Sequence, residues 1–202
     1  MLFDVTRGEL AGLFGEHRLA TLPDTAFPPY AAQTEGARLL REVGVPTGTL
    51  GLREPGGALP LVRDVVRVVE FGHVGEEAGL WPVIGWLLNA HLALDPASGA
   101  VHVFDTDAVS ACALHTDVSS LVEVAFRFQR LLDEFTFGID DADEEAGFER
   151  LEEEVGRIRR ETSAIDPLPF RDDDTVWAVV GDEIAEGRRF LADSPGGRSL
   201  YG

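Results

Sequence analysis

Cys112 and His115 stand at a spacing that two ligands of a structural zinc site can have, and Asp105-Thr106-Asp107 resembles the paired carboxylates that hold a divalent cation through oxygen. Neither pattern is complete. A second zinc pair at similar spacing is missing, so Cys112 reads as a small buried thiol on a strand and His115 as a polar strand end. Asp105 and Asp107 read more simply as turn residues that bond nearby backbone amides. His91 and His102 flank a turn and are expected as a cross-strand pair, which needs no ligand. Asp140, Asp141, Asp143, Glu144 and Glu145 lack the spaced ligands, central Gly and final Glu of a calcium loop.

Gly72-His73-Val74-Gly75 is too short to cradle phosphate, and all 17 basic residues are Arg, so a P-loop lysine is excluded. Ser119-Ser120 sits at a helix start with no Gly-x-Ser-x-Gly elbow around it. No catalytic constellation, cofactor site or metal site is expected. An enzyme using Asp105, Asp107 and a histidine around a metal is the remaining catalytic alternative.

The elements that would carry these residues follow from periodicity and caps. Thr6 and Glu9 have capping-box spacing ahead of Leu10, Leu13 and Phe14, which predicts a short first helix. Three prolines make 23–29 a loop, and a second helix from about Ala31 ends at Gly44 before Pro46. Val65, Val66, Val68, Val69 and Phe71 predict a strand, followed by strands at 83–88, 90–94, 100–104 and an edge strand at 109–114. Asp95-Pro96-Ala97-Ser98-Gly99 predicts a hairpin turn. Thr116 or Asp117 caps a helix whose wide apolar face, from Val118 to Phe135, is expected to lie on the sheet.

Leu151, Val155 and Ile158 give the acidic segment of about 137–170 a narrow apolar stripe, so a solvated helix docked along one edge is expected, stopped by Pro167 and Pro169. Asp173 or Asp174 caps a last helix carrying Trp177, Val180 and Ile184 and ending at Gly187. The result is one α+β domain over 1–193 with a frayed tail over 194–202.

Of 202 residues, 36 are acidic against the 17 arginines, a formal net charge of -19. Such a surface repels a phosphate backbone, so direct nucleic-acid binding is not expected. Sixteen acidic and five basic residues lie between Asp133 and Asp174, so the acid is concentrated. The apolar stretch Leu80 to Leu88 holds Pro82 and Gly85 and is too short to span a bilayer. The first ten residues hold Asp4 and Glu9 and do not read as a secretory signal. With one cysteine, a reducing cytoplasm is the expected location. Trp81 and Trp86 read first as packing residues, with an exposed binding platform as the alternative.

Several separated segments together resemble the SUKH superfamily of bacterial immunity proteins, in particular its group-4 branch. They are Leu22-Pro23, the helix ending Leu39-Leu40-Arg41-Glu42-Val43-Gly44-Val45-Pro46, Ile84-Gly85, and Leu92 to Val101 with its Leu-Asp, small-residue turn, Gly and Val. Asp117-Val118-Ser119-Ser120-Leu121 stands where the family usually has an Asn-Ser-Ser-like helix entry, and Asp166-Pro167 through Trp177 to Gly187 resembles its closing helix. The resemblance implies an α+β fold with a central, mainly antiparallel sheet packed by helices. It also implies a protein that binds a cognate polymorphic toxin, often a nuclease or nucleic-acid deaminase, and no catalytic residue. A non-catalytic scaffold or regulator of the same superfamily, with another cellular partner, is the alternative.

A basic toxin cleft would be steered toward so acidic a chain. First contact is therefore expected at Asp140, Asp141, Asp143, Glu144, Glu145, Asp172, Asp173 and Asp174, with Trp81 or Trp86 as anchor.

Overall fold

The structure, a computed structural model, describes residues 1–47, 59–66, 75–105, 111–138 and 141–201. Helix α1 (Arg7–Phe14) opens on the expected capping box, with Thr6 accepting from the Glu9 amide and the Glu9 carboxylate accepting from the Thr6 amide. Strand β1 (Leu19–Ala20) pairs antiparallel with β2 (Val45–Pro46), and helix α2 (Glu35–Glu42) lies between them in sequence. The Thr34 hydroxyl accepts the Ala37 amide, which starts α2 later than the apolar pattern alone suggests. Gly44 has φ +85, and a Cβ there would come within 2.6 Å of the Ala20 carbonyl, so both conformation and closeness to β1 require glycine.

Val65 and Val66 are not strand residues. Val62–Val65 form a short helix, α3, because the Asp64 carboxylate accepts the Leu61 amide at 3.1 Å, and Val62 and Val66 turn together into a small core with Trp81. The rest of that expected strand, Val68 to Phe71, lies outside the described residues, as do Asp107 and Gly72-His73-Val74.

The main sheet is a four-stranded antiparallel meander: β3 (Val83–Leu87), β4 (Ala90–Leu94), β5 (Val101–Asp105) and β6 (Ala111–His115) in that order. Leu88 has φ +55 and belongs, with Asn89, to the two-residue turn between β3 and β4 rather than to a strand. The next turn is the expected one: Asp95 accepts the Ala97 amide at 2.8 Å and Gly99 sits at φ +80. The register sets His91 opposite Phe104 and His102 opposite Ala93, so the two histidines are diagonal neighbours and not a facing pair.

Alternation divides the sheet between two cores. Leu92, Leu94, Val101 and Leu114 join the large core under the helices, whereas Val83, Ala93, Phe104 and Ala111 join Trp81, Ala78, Val62 and Val66 on the other face. Helix α4 (Val118–Glu134) is capped by Asp117, which accepts the Ser120 amide, and lies against β2 and β6. Helix α5 (Asp141–Ser163) buries Leu151, Val155 and Ile158 to 3% exposure or less, as their spacing predicts. It packs chiefly on α4 and α6, not along a sheet edge, and stops before Pro167.

Helix α6 (Val176–Ala185) is capped by Thr175, whose hydroxyl accepts the Ala178 amide, and not by Asp173 or Asp174. Residues 195–201, expected as a frayed tail, form helix α7 (Pro195–Tyr201) against α4. The Ser194 hydroxyl accepts the Gly197 amide, and a Cβ at Gly197 would approach the Leu191 carbonyl to 1.7 Å, a closeness only glycine allows.

Leu151→Ala should destabilise the fold by about 2–5 kcal/mol through lost burial and a cavity between α4 and α5. Glu152→Ala, one residue on and exposed, should stay within about 0.5 kcal/mol of the parent in urea unfolding.

Candidate partner-binding surface

Helix α5 carries nine carboxylates and four arginines in 23 residues. Its buried stripe fixes which of them face water. Glu145, Glu149, Glu152 and Glu153 are exposed and make no ion pair with another described residue. Asp141, Asp143 and Glu144 occupy the first turns of the same helix, and Asp140 lies outside the described residues.

The second half of α5 is electrostatically different. Arg127 on α4 reaches Glu123 and Glu161 at 2.6 Å each, and Arg157 reaches Glu154 and Glu161, so these charges form a ladder between the two helices. Hydrogen bonds from Arg127 and Arg157 hold the Glu161 carboxyl below its ordinary range. Beside the ladder runs a groove of about 590 Å³ with Phe126, Leu131, Phe135 and Ile158 in its lining. Its rim charges are already paired, so the open acid is that of the first half.

Asp172, Asp173 and Asp174 are exposed on the α5–α6 connection, with Asp172 paired to Arg171 at 2.7 Å. From Asp143 to the end of α5 the rise of about 1.5 Å per residue gives roughly 30 Å. The two expected acidic groups thus lie at opposite ends of one helix and do not converge.

What holds the α5–α6 connection is a buried polar chain that its residue types alone do not reveal. Trp177 Nε1–H donates to His115 Nε2 at 2.7 Å, and because indole nitrogen only donates, His115 Nε2 must accept. The imidazole proton therefore sits on Nδ1 and points to Ser120 Oγ at 2.9 Å, leaving the Ser120 hydroxyl to donate to Asp166. Asp166 also accepts the Thr116 amide and hydroxyl, both at 2.9 Å, and the Leu168 amide at 3.2 Å.

His115, Ser120, Asp166 and Trp177 are all fully buried. Burial pushes the His115 pKa down to about 3 against the opposing pull of Asp166 and Asp117, so the imidazole is neutral. Burial would raise the Asp166 carboxyl, but its hydrogen bonds from Ser120, Thr116 and Leu168 outweigh that and hold it low. Sealed from solvent, this serine–histidine–aspartate set offers no approach to a substrate. It is a fastener, and Asp172 to Asp174 follow directly from it.

Trp81 and Trp86 sit on the sheet face away from α5. Trp81 is 7% exposed, its ring 4.6 Å from His102 and 6.2 Å from Phe104. Trp86 is half-buried, 5.6 Å from His91, and keeps some open surface. Cys112 lies half-buried by Arg171 rather than with His115. Among the described residues, no group of three or more His, Cys, Asp or Glu is placed to hold a metal ion, and no helix is long and apolar enough to cross a membrane.

The folded His115 refuses a proton that the unfolded chain accepts below pH 6.5, so stability should fall as pH drops from about 6.5 toward 3, and Asp166 adds to the loss below 3.8. The His115 part of the slope is about 1.4 kcal/mol per pH unit. Urea unfolding at pH 7, 6, 5 and 4 checks it: His115→Gln should be less stable at pH 7 and should lose that part of the slope.

A family model described as SUKH-4 immunity protein matches residues 5–183, from before α1 to within α6. No curated protein and no solved structure matches the chain.

Proposed function

Because the chain belongs to the SUKH-4 immunity protein family, we propose that it binds a cognate polymorphic toxin domain in the cytoplasm and neutralises it by covering a basic active-site cleft. The observation that supports this reading is the exposed row of Glu145, Glu149, Glu152 and Glu153, which make no ion pair with a described residue and have only Arg150 among them. A toxin acting on nucleic acid presents the opposite field, which raises the encounter rate and discriminates against acidic partners. The partner is thus a basic protein, and neither nucleic acid nor a membrane is engaged directly.

Asp141, Asp143, Glu144 and Glu145 extend this row toward the start of α5, and Asp172 to Asp174 offer a separate contact at the other end. Trp86 keeps more open surface than Trp81, which is committed to the small core, but it lies on the sheet face away from α5 and so would serve a contact separate from the α5 row. The chain acts by occlusion and contributes no catalytic group, cofactor or metal.

Co-expression with the product of the adjacent upstream gene, in cells where that product alone is lethal, tests this. Rescue with a salt-sensitive complex is the expected result. Neither rescue nor complex would shift the reading to a scaffold with another cellular partner. The triple variant Glu145→Arg, Glu149→Arg and Glu152→Arg should slow association about tenfold or more at low salt. At about 1 M salt, where screening reaches about 3 Å, its rate should approach the parent's.

A further inference from the structure

Among the described residues, Tyr201 on α7 is the most exposed large apolar side chain, at 60%. It does not stand alone. Its hydroxyl donates to the Gly187 carbonyl at 3.4 Å, and the same glycine, at φ +76, lies against α5: a Cβ there would come within 2.8 Å of the Phe148 ring and 3.4 Å of Leu200. Phe148 is half-buried, with Phe137 4.9 Å from its ring, and so brings α5 against the end of α6 and α7. Residues three and four apart on a helix are surface neighbours, which sets Glu145 and Glu152 on either side of Phe148. Both are exposed and make no ion pair with a described residue. The arginines that follow Gly187 and the arginine of α7 are engaged elsewhere: Arg188 pairs with Glu186, Arg189 with Glu183, and Arg198 donates to the Asp193 carbonyl at 2.6 Å.

We propose that Tyr201 anchors an arginine side chain of the basic protein partner. The guanidinium lies on the tyrosine ring, and Glu145 and Glu152 pair with that arginine and the cations beside it. The inference rests on the toxin-binding reading for the partner's identity and places an aromatic anchor beside the α5 row, which Trp86 does not reach. A cation over a tyrosine face is attracted by the ring quadrupole, and a planar guanidinium stacks there while its N–H groups stay free for carboxylates. An acidic segment meets Glu145 and Glu152 as like charges. A second copy of this chain is the wrong occupant, since it brings a net charge of -19 against the first. Tyr30 is the internal control: it is 52% exposed, but the charge acting on it is that of Arg63.

Two probes test the anchor and the toxin reading separately. With two tyrosines in the chain, the full protein labelled with fluorotyrosine gives two fluorine NMR signals, assigned through Tyr201→Phe. At low salt, a peptide of alternating Arg and Gly should move the Tyr201 signal and leave that of Tyr30 in place. The Glu145→Gln/Glu152→Gln variant, whose substitutions are exposed, should need at least about threefold more peptide for half the shift. An unmoved Tyr201, equal movement of both tyrosines, or equal movement by a peptide of alternating Glu and Gly overturns the anchor. A Tyr201 signal that moves with the concentration of the chain alone marks a second copy as the occupant and also overturns it.

The second probe is the product of the upstream gene. Its binding should move the Tyr201 signal. Tyr201→Ser should weaken the complex about fivefold or more, whereas Tyr201→Phe, which keeps the ring and loses the bond to Gly187, should stay within about twofold of the parent. Equal weakening by both variants marks a role in seating α7 and overturns the anchor. A bound, neutralised toxin that leaves the Tyr201 signal in place overturns the anchor and keeps the toxin reading. Movement of Tyr201 by the Arg–Gly peptide without toxin binding or rescue overturns the toxin reading and keeps the anchor.

Discussion

The indole nitrogen of Trp177 can only donate, and that fact sets the direction of every hydrogen bond from α6 through His115 and Ser120 to Asp166. The chain joins two separated stretches of sequence: the end of β6 with the first turn of α4, and the α5–α6 connection with α6. Without it, the carboxylate of Asp166 would be a buried charge of high cost, and α5 would reach the sheet only through α4 and α6. Such a fully satisfied network tolerates little variation, because removing one member strands its neighbours. It also explains how an acidic loop can stand in one place: Asp172 to Asp174 begin six residues after the anchor, with the 3-10 turn of 168–170 packed between.

Around that anchor the sheet is covered on both faces, and this is what β4 records. All five of its residues are buried, because Leu92 and Leu94 look to the helices while His91 and Ala93 look to the small core. A strand covered on both sides loses the polar alternation by which a half-exposed strand is recognised. The sheet ends at β3 and β6, and among the described residues β6 pairs only with β5.

Much of this was legible in the residues. The Thr6–Glu9 box, the Asp95–Gly99 turn and the stripe of Leu151, Val155 and Ile158 are local signals, and the antiparallel order of strands and helices followed from them. Three failures share a physical cause, since in each a contact distant in sequence or a competing cap overrode local preference. Val65 and Val66 have β-forming side chains, yet Asp64 and the Trp81 core fold them around a helical turn. Thr175 displaced Asp173 and Asp174 as the cap of α6, leaving those carboxylates free to face solvent.

The segment beyond Asp193 closed into α7 because two adjacent glycines let it approach Leu191 and Phe190. The fastener was the least legible, since His115 and Trp177 are 62 positions apart and each has an ordinary core reading. Of the expected partner surface, the acid was legible residue by residue but its division was not: only the straight run of α5 separates the two groups.

That division gives the helix a further meaning. A rod of 23 residues, about 35 Å from end to end at the α-helical rise, bears exposed Glu145, Glu149, Glu152 and Glu153 along its first part, and Asp172 to Asp174 stand on the connection that follows it. A globular domain of about 100 residues is of comparable breadth, with a radius of gyration near 13 Å. The length of that rod is held by backbone hydrogen bonds, and the place of Asp172 to Asp174 beyond it by the hydrogen bonds of Asp166. Substitutions among the acidic residues at either end would therefore leave the rod between them unchanged, since its length is set by the helical backbone and not by the side chains it carries.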